Sequence, residues 1–191
     1  QGGIRLGSIF YALLLEGIFM VKDYIDGKWV NSLGHESVSI LNPANGLELD
    51  RCPIGTSEDV NRAVKAAHAA FLEWRHVPVA ERVQFLFKLK PLLDANVENL
   101  AALVTREHGK TLVEARGSVK RGIQMVETAT GMPTFQKGEF LEDIARGIDC
   151  VTMRQPMGVF AGIAPFNFPA MVPFWFWPFA IASGNTFVLK P

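Results

Sequence analysis

Ala164-Pro165-Phe166-Asn167-Phe168-Pro169, with Asn185-Thr186-Phe187-Val188-Leu189-Lys190-Pro191 downstream, reads as a strand end, a loop and the second strand of a strand-helix-strand unit. Met157 to Ala164 supplies the first strand, a continuous apolar run of the kind a parallel strand shows when both its faces are covered. Between the strands Pro169 opens an apolar segment that Gly184 closes, a helix start and stop. Pro173 and Pro178 inside it predict a helix that is bent or restarted. In such a βαβ unit the ligand-facing edge is the carboxyl end of the first strand, here Ala164 to Asn167. A buried-type amide, Asn167, set there beside a helix start suits holding a reacting oxygen or a cofactor.

Working upstream, Ile148, Cys150 and Thr152 alternate with other residues, so Gly147 to Arg154 is a candidate strand. Pro156 separates it from the βαβ unit as an arm. Before it the apolar spacing is helical four times over. Thr56-Ser57-Glu58-Asp59 reads as a capping box, with Val60, Val64, Ala67 and Phe71 on one face to about Leu72. Pro78 opens a second helix carrying Val83, Leu86, Phe87, Leu89 and Leu93 to about Ala95, with Pro91 in its last turns. Leu100, Leu103 and Val104 mark a third, stopped by Gly109. Leu112 to about Thr130 is a fourth, with Val119, Ile123, Val126 and Thr130 on one stripe and Gly131 and Pro133 as its stop. The entry to the chain is a β region: Asp26-Gly27 and Asn45-Gly46 each sit between short apolar runs as hairpin turns.

The 191 residues are 49% hydrophobic, enough to bury a core, and the 19 basic and 19 acidic side chains cancel. Such a balance argues against nucleic acid and anionic membranes as partners and for a small molecule or protein. Cys52 and Cys150 are far apart with no metal-ligand spacing, so no metal is expected. The apolar run Ile9 to Leu15 is broken by Glu16 and is too short to span a bilayer. Arg5 ahead of it has signal-peptide character, but no small-x-small cleavage site follows. Met20-Val21-Lys22-Asp23 looks like a natural start, so residues 1–19 are read as an extension outside the fold. The lack of a convincing transit peptide favours a cytoplasmic protein.

The Pro165 to Pro169 and Gly184 to Pro191 motifs at their mutual distance resemble the NAD(P)-dependent aldehyde dehydrogenase superfamily. Ile25-Asp26-Gly27-Lys28-Trp29, Asn42-Pro43-Ala44, Glu107-His108-Gly109-Lys110 and Arg154-Gln155-Pro156-Met157-Gly158-Val159 carry the likeness across Lys22 to Pro191. Phe166, where tryptophan is common, and the run Met171 to Pro178 look most like the CoA-acylating methylmalonate-semialdehyde dehydrogenase branch. The resemblance implies an α/β fold: N-terminal β-hairpins and a helical layer leading into the first βαβ unit of a Rossmann-like cofactor domain, cut short at Pro191. The parts expected are hairpins and four helices over 20–146, an oligomerisation strand arm over 147–156, and the start of the NAD-binding unit over 157–191.

The same resemblance implies NAD as cofactor, CoA as co-substrate, a semialdehyde substrate, and a homotetramer or dimer. It makes Asn167 a donor to the aldehyde oxygen while a cysteine attacks and hydride passes to NAD; read alone, Asn167 could equally cap the helix near Pro169. Lys190 would bond the cofactor's adenosine ribose, or be merely solvated, and Ala164 and Phe166 would line the cofactor crevice. No GxGxxG fingerprint is present. Arg121, on a helix that borders the substrate entrance in the family, could grip a substrate carboxylate through two parallel hydrogen bonds or simply face solvent beside Lys120. The aromatic run Phe174 to Trp177 is read as core packing against the sheet and fourth helix. The family's nucleophilic cysteine, general-base glutamate and glycine-rich turn have no counterpart in these residues, so the 191-residue polypeptide is expected to be inactive by itself. It is also expected to associate through its exposed sheet edge. The alternatives are another semialdehyde dehydrogenase of the family and a non-enzymatic association fragment.

Overall fold

A computed structural model describes residues 19–191; the expectations for the segment 1–18 lie outside the described residues. The entry hairpin pairs β1 (Asp23–Ile25) with β2 (Lys28–Val30), and both turn residues, Asp26 and Gly27, have positive φ, the signature of a type I′ turn. A second hairpin pairs β3 (Ser37–Leu41) with β4 (Glu48–Pro53). Both hairpins follow the turn signals in the sequence.

Four helices come next: α1 (Ser57–Trp74), α2 (Val79–Ala95), α3 (Val97–His108) and α4 (Leu112–Ala129). The capping box at the start of α1 is closed in both directions between Thr56 and Asp59, and a second, unanticipated box joins Thr111 and Glu114 at the start of α4. Gly131 and Pro133 end α4 as expected, but the chain turns at once into a one-turn helix, α5 (Met132–Phe135). Pro133 fits there because an early helical position needs no N–H.

The strand expected over 147–154 is the shorter β6 (Ile148–Val151), and it has an antiparallel partner that the spacing had not revealed, β5 (Phe140–Ala145). Every residue of this hairpin is exposed, so no buried face imposes the alternation by which a strand is recognised. The terminal unit is β7 (Val159–Ile163), α6 (Pro173–Ala182) and β8 (Thr186–Lys190), with β7 and β8 parallel and Val159 opposite Thr186. Two expectations are corrected here. The helix begins at Pro173 rather than Pro169, because residues 169–172 form turns. The strand β7 is only partly covered, with Ile163 79% exposed.

Two apolar clusters hold the helices together. One joins Val83 and Leu86 of α2 to Val126 and Ala129 of α4, Met132 of α5 and Ala182 of α6. The other joins Val97, Ala101 and Val104 of α3 to Ala115, Val119 and Ile123 of α4. Thus α4 belongs to both, and its stripe is buried as the spacing predicts. At Gly122 it closes on α6 so tightly that a Cβ would lie 2.7 Å from the Phe174 ring. The aromatic run divides accordingly: Phe174 and Trp177 pack on the first cluster, while Trp175 and Phe176 stay largely exposed. The stripe expected on α1 holds in its second half only: Val60 and Val64 are exposed, whereas Ala67 is half-buried and Phe71 is buried, with Ala63 and Ala66 half-buried as well.

The first turn of α1 is anchored by a buried ion. The buried Asp59 carboxylate accepts from the Thr56 N–H and hydroxyl, the Leu33 N–H, the Ser32 hydroxyl and the Arg62 guanidinium. These donors, the Thr56 backbone N–H foremost, hold its pKa far below the usual aspartate range. A second buried ion, Arg82, donates to the carbonyls of Ala182 (2.9 Å) and Val77 (2.6 Å) and to Gln136 Oε1 (2.9 Å).

Replacing Arg82 by methionine leaves two carbonyls and an amide oxygen without a donor while keeping side-chain bulk. Urea denaturation of R82M should show a loss of about 3 kcal/mol, against under about 0.5 kcal/mol for an exposed control. Because folding favours the ionised form of Asp59, its stabilisation is complete above the ordinary aspartate range, about pH 4. It is lost as the pH falls from there through the lower folded value. Denaturation midpoints of wild type and Asp59→Asn, measured from pH 7 to pH 2, should therefore differ most near neutrality and converge in acid.

Candidate active site

The carboxyl ends of β7 and β8 lie side by side. Ile163 is opposite Lys190, and the Ala164 N–H donates to the Lys190 carbonyl at 2.9 Å. This brings together three of the residues singled out in the sequence: Ala164 half-buried at the strand end, Phe166 89% exposed just beyond it, and Lys190 exposed on the neighbouring strand. The Lys190 ammonium donates to the Pro191 carbonyl at 2.8 Å, its one hydrogen bond among the described residues.

Asn167 follows in the exposed loop. Its side-chain amide has no hydrogen-bond partner among the described residues, and α6 starts six residues later at Pro173 without any side-chain cap. The capping alternative is thereby removed. The Asn167 carbonyl, in contrast, is engaged: Lys110 Nζ donates to it at 3.1 Å and lies 4.2 Å from the centroid of the Phe168 ring. Lys110 was quoted in the sequence only as part of a motif. Its placement comes from the junction of α3 and α4, where Gly109 takes a left-handed φ of 79° and Thr111 caps the next helix.

Arg121 is exposed on α4, with its guanidinium donating to Gln124 Oε1 at 2.8 Å and no hydrogen bond to the 164–169 loop among the described residues. The helix that carries it does reach the segment after Asn167, through Gly122 against Met171 and Phe174. Cys52 lies half-buried in β4 and Cys150 exposed in β6, so neither thiol is on the β7–β8 edge. Among the described residues no cluster of His, Cys, Asp or Glu could hold a metal ion, and no helix is long and apolar enough to cross a membrane.

A groove of about 470 Å³ opens elsewhere, on the face of β7 and β8 towards α6, lined by Met132, Phe160, Gly162, Phe176, Phe179 and Phe187 among others. It contains no ionisable group and none of Ala164, Phe166, Asn167 or Lys190. The polar groups are at the strand ends, where an ammonium can donate to hydroxyl or carbonyl oxygens and an amide can both donate and accept. Among the described residues no thiol lies beside them.

Residues 29–191 match the aldehyde dehydrogenase family. The malonate-semialdehyde dehydrogenase 1 of Bacillus licheniformis is 54% identical over 171 residues, 90% of this chain and 35% of that protein. A malonate-semialdehyde dehydrogenase 1 from Geobacillus kaustophilus is 52% identical, again over 90% of this chain and 35% of the relative. Among solved structures, a Sinorhizobium meliloti protein described as a methylmalonate-semialdehyde dehydrogenase and complexed with NAD superposes with a TM-score of 0.89 at 39% identity. It is matched over 93% of this chain and 36% of that one. The methylmalonate-semialdehyde dehydrogenase of Oceanimonas doudoroffii gives 0.88 at 40%, over 91% and 36%. The chain thus spans about a third of the length of these relatives, corresponding to their N-terminal part. On the match over residues 29–191 and the shared fold, this chain belongs to the aldehyde dehydrogenase family.

Proposed function

We infer that residues 22–191 form the N-terminal third of an NAD-dependent dehydrogenase that oxidises methylmalonate or malonate semialdehyde and passes the acyl group to CoA. The observation that carries this reading is the Asn167 amide, without a hydrogen-bond partner among the described residues, in the loop that leaves the carboxyl end of β7, the strand paired in parallel with the one that ends in Lys190. The choice of semialdehyde follows the names of relatives about half identical to this chain.

In this reading Asn167 donates to the aldehyde oxygen as negative charge grows on it. A preorganised donor of that kind is worth roughly 3 to 4 kcal/mol in the transition state. With no hydrogen-bond partner among the described residues, the amide has none there to break before it acts. Lys190 bonds the ribose hydroxyls of NAD, and Ala164 and Phe166 form the wall against which the dinucleotide lies. NAD, when bound, supplies the two-electron oxidation. Arg121 meets the substrate's carboxylate, exchanging its bond to Gln124 for a bidentate one.

The attacking thiol and the base come from outside residues 19–191, because Cys52 and Cys150 sit on other sheets. The 191-residue polypeptide is therefore inactive alone. The exposed β5–β6 hairpin, over 139–152, is the surface through which copies associate, as a homodimer or homotetramer, in a cytoplasmic enzyme. That hairpin also supports the second reading, a polypeptide that acts only by association.

A polypeptide of full family length that contains this segment should form NADH and acyl-CoA from either semialdehyde in the presence of CoA. The 191-residue chain should form neither; turnover by it would refute the external origin of the thiol. Asn167→Ala should change the urea unfolding free energy by less than about 0.5 kcal/mol, as expected of a surface side chain with no partner. A helix cap would instead cost about 1 kcal/mol.

A further inference from the structure

We propose that Lys110 is a positioning residue that fixes the aim of the Asn167 amide; the catalytic half of this statement rests on the reading of Asn167 given above. The loop between β7 and α6 is held at two places. At its start the Ala164 N–H is bonded to the Lys190 carbonyl. Three residues on, Lys110 Nζ bonds the Asn167 carbonyl at 3.1 Å and sits over the Phe168 ring at 4.2 Å, while the Phe168 carbonyl accepts from the Val172 N–H at 3.2 Å.

A single ammonium therefore grips both sides of the 167–168 peptide, the carbonyl before it and the aromatic ring after it. A planar peptide held at its oxygen is restricted in rotation about the flanking φ and ψ bonds, so the backbone that carries the Asn167 side chain is restrained while that side chain has no hydrogen-bond partner among the described residues. Pro165 and Pro169 stiffen the segment further, each through a fixed φ. Lys110 can serve as an anchor because its own backbone is immobilised. It occupies the short link between α3 and α4, with left-handed Gly109 before it and the Thr111–Glu114 capping box after it. Its stem is half-buried, and the ammonium is the part that reaches the loop. Exposed amide, anchored backbone: this arrangement leaves a donor unspent but aimed, as an oxyanion-stabilising group requires.

The test uses Lys110→Met, which keeps the stem and removes the ammonium, and Lys110→Arg, which restores a cationic donor. In the 191-residue chain, hydrogen exchange at the amides of residues 166–168 should quicken at least several-fold in K110M and return towards wild type in K110R. In the polypeptide of full family length, K110M should lower kcat by about 10- to 100-fold with the NAD affinity unchanged. Asn167→Ala added to K110M should cost much less than it does alone, since both act through one group. Unchanged exchange at 166–168 in K110M overturns the proposal, as does full multiplication of the two kinetic effects. If Asn167→Ala proves fully active while K110M still exchanges faster, the catalytic role of Asn167 falls and the anchoring of its loop by Lys110 stands.

Discussion

The end of α6 is the point on which the described structure depends. A helix leaves its last carbonyls without intrahelical donors, and here they are met by side chains from three other elements. Trp74 of α1 donates to the Ile181 carbonyl, Arg82 of α2 to Ala182, and Gln136, just after α5, to Ser183. Because Arg82 also bonds Gln136, these two donors form one connected group, with Trp74 as a separate cap beside them. Burial lowers the pKa of the Arg82 guanidinium, yet arginine stays charged in proteins and its charge is set against carbonyl dipoles.

That convergence places the strands. Immediately after the capped carbonyls, Asn185 Oδ1 accepts the N–H groups of Met157 and Gly158, which brings the start of β7 to the start of β8. Thr186 then donates its hydroxyl to the Ala67 carbonyl of α1. The register of the parallel pair follows from these contacts at its amino end, and the register in turn sets Ala164 against Lys190 at the carboxyl end. The chemistry-bearing edge is thus positioned by polar contacts about a strand length away from it. The helical layer adds a second reference: α4, wedged against Phe174 by Gly122, backs the segment that follows Asn167.

Much of this was legible in the residue pattern because the signals were local. The two hairpin turns, the Thr56 capping box, the buried stripe of α4 and the closing strand-helix-strand order each depend on neighbours within a few positions. The failures have a common cause in contacts between distant parts. The start of α6 shifted from Pro169 to Pro173 because residues 169–172 form turns, the loop before them being held by Lys110 at the Asn167 carbonyl and by β8 at Ala164. The first half of the α1 stripe is exposed at Val60 and Val64, and the buried residue there is instead Asp59, whose carboxylate collects donors from residues 32 and 33. The strand β5 escaped notice because an exposed hairpin has no buried side to impose alternation.

By itself the sequence determined the family, the order of the elements other than α5 and β5, and the identity of the residues at the strand ends, since these rest on motifs whose members are close together along the chain. Only the tertiary structure decided that the Asn167 amide has no partner among the described residues while its carbonyl is held, that Lys190 is the neighbour of Ala164, and that Lys110, 57 residues upstream of Asn167, is the side chain holding that carbonyl. The physical reason is that a hydrogen bond is decided by distance and angle between two groups, and for residues far apart in the chain those quantities exist only after the helices have packed.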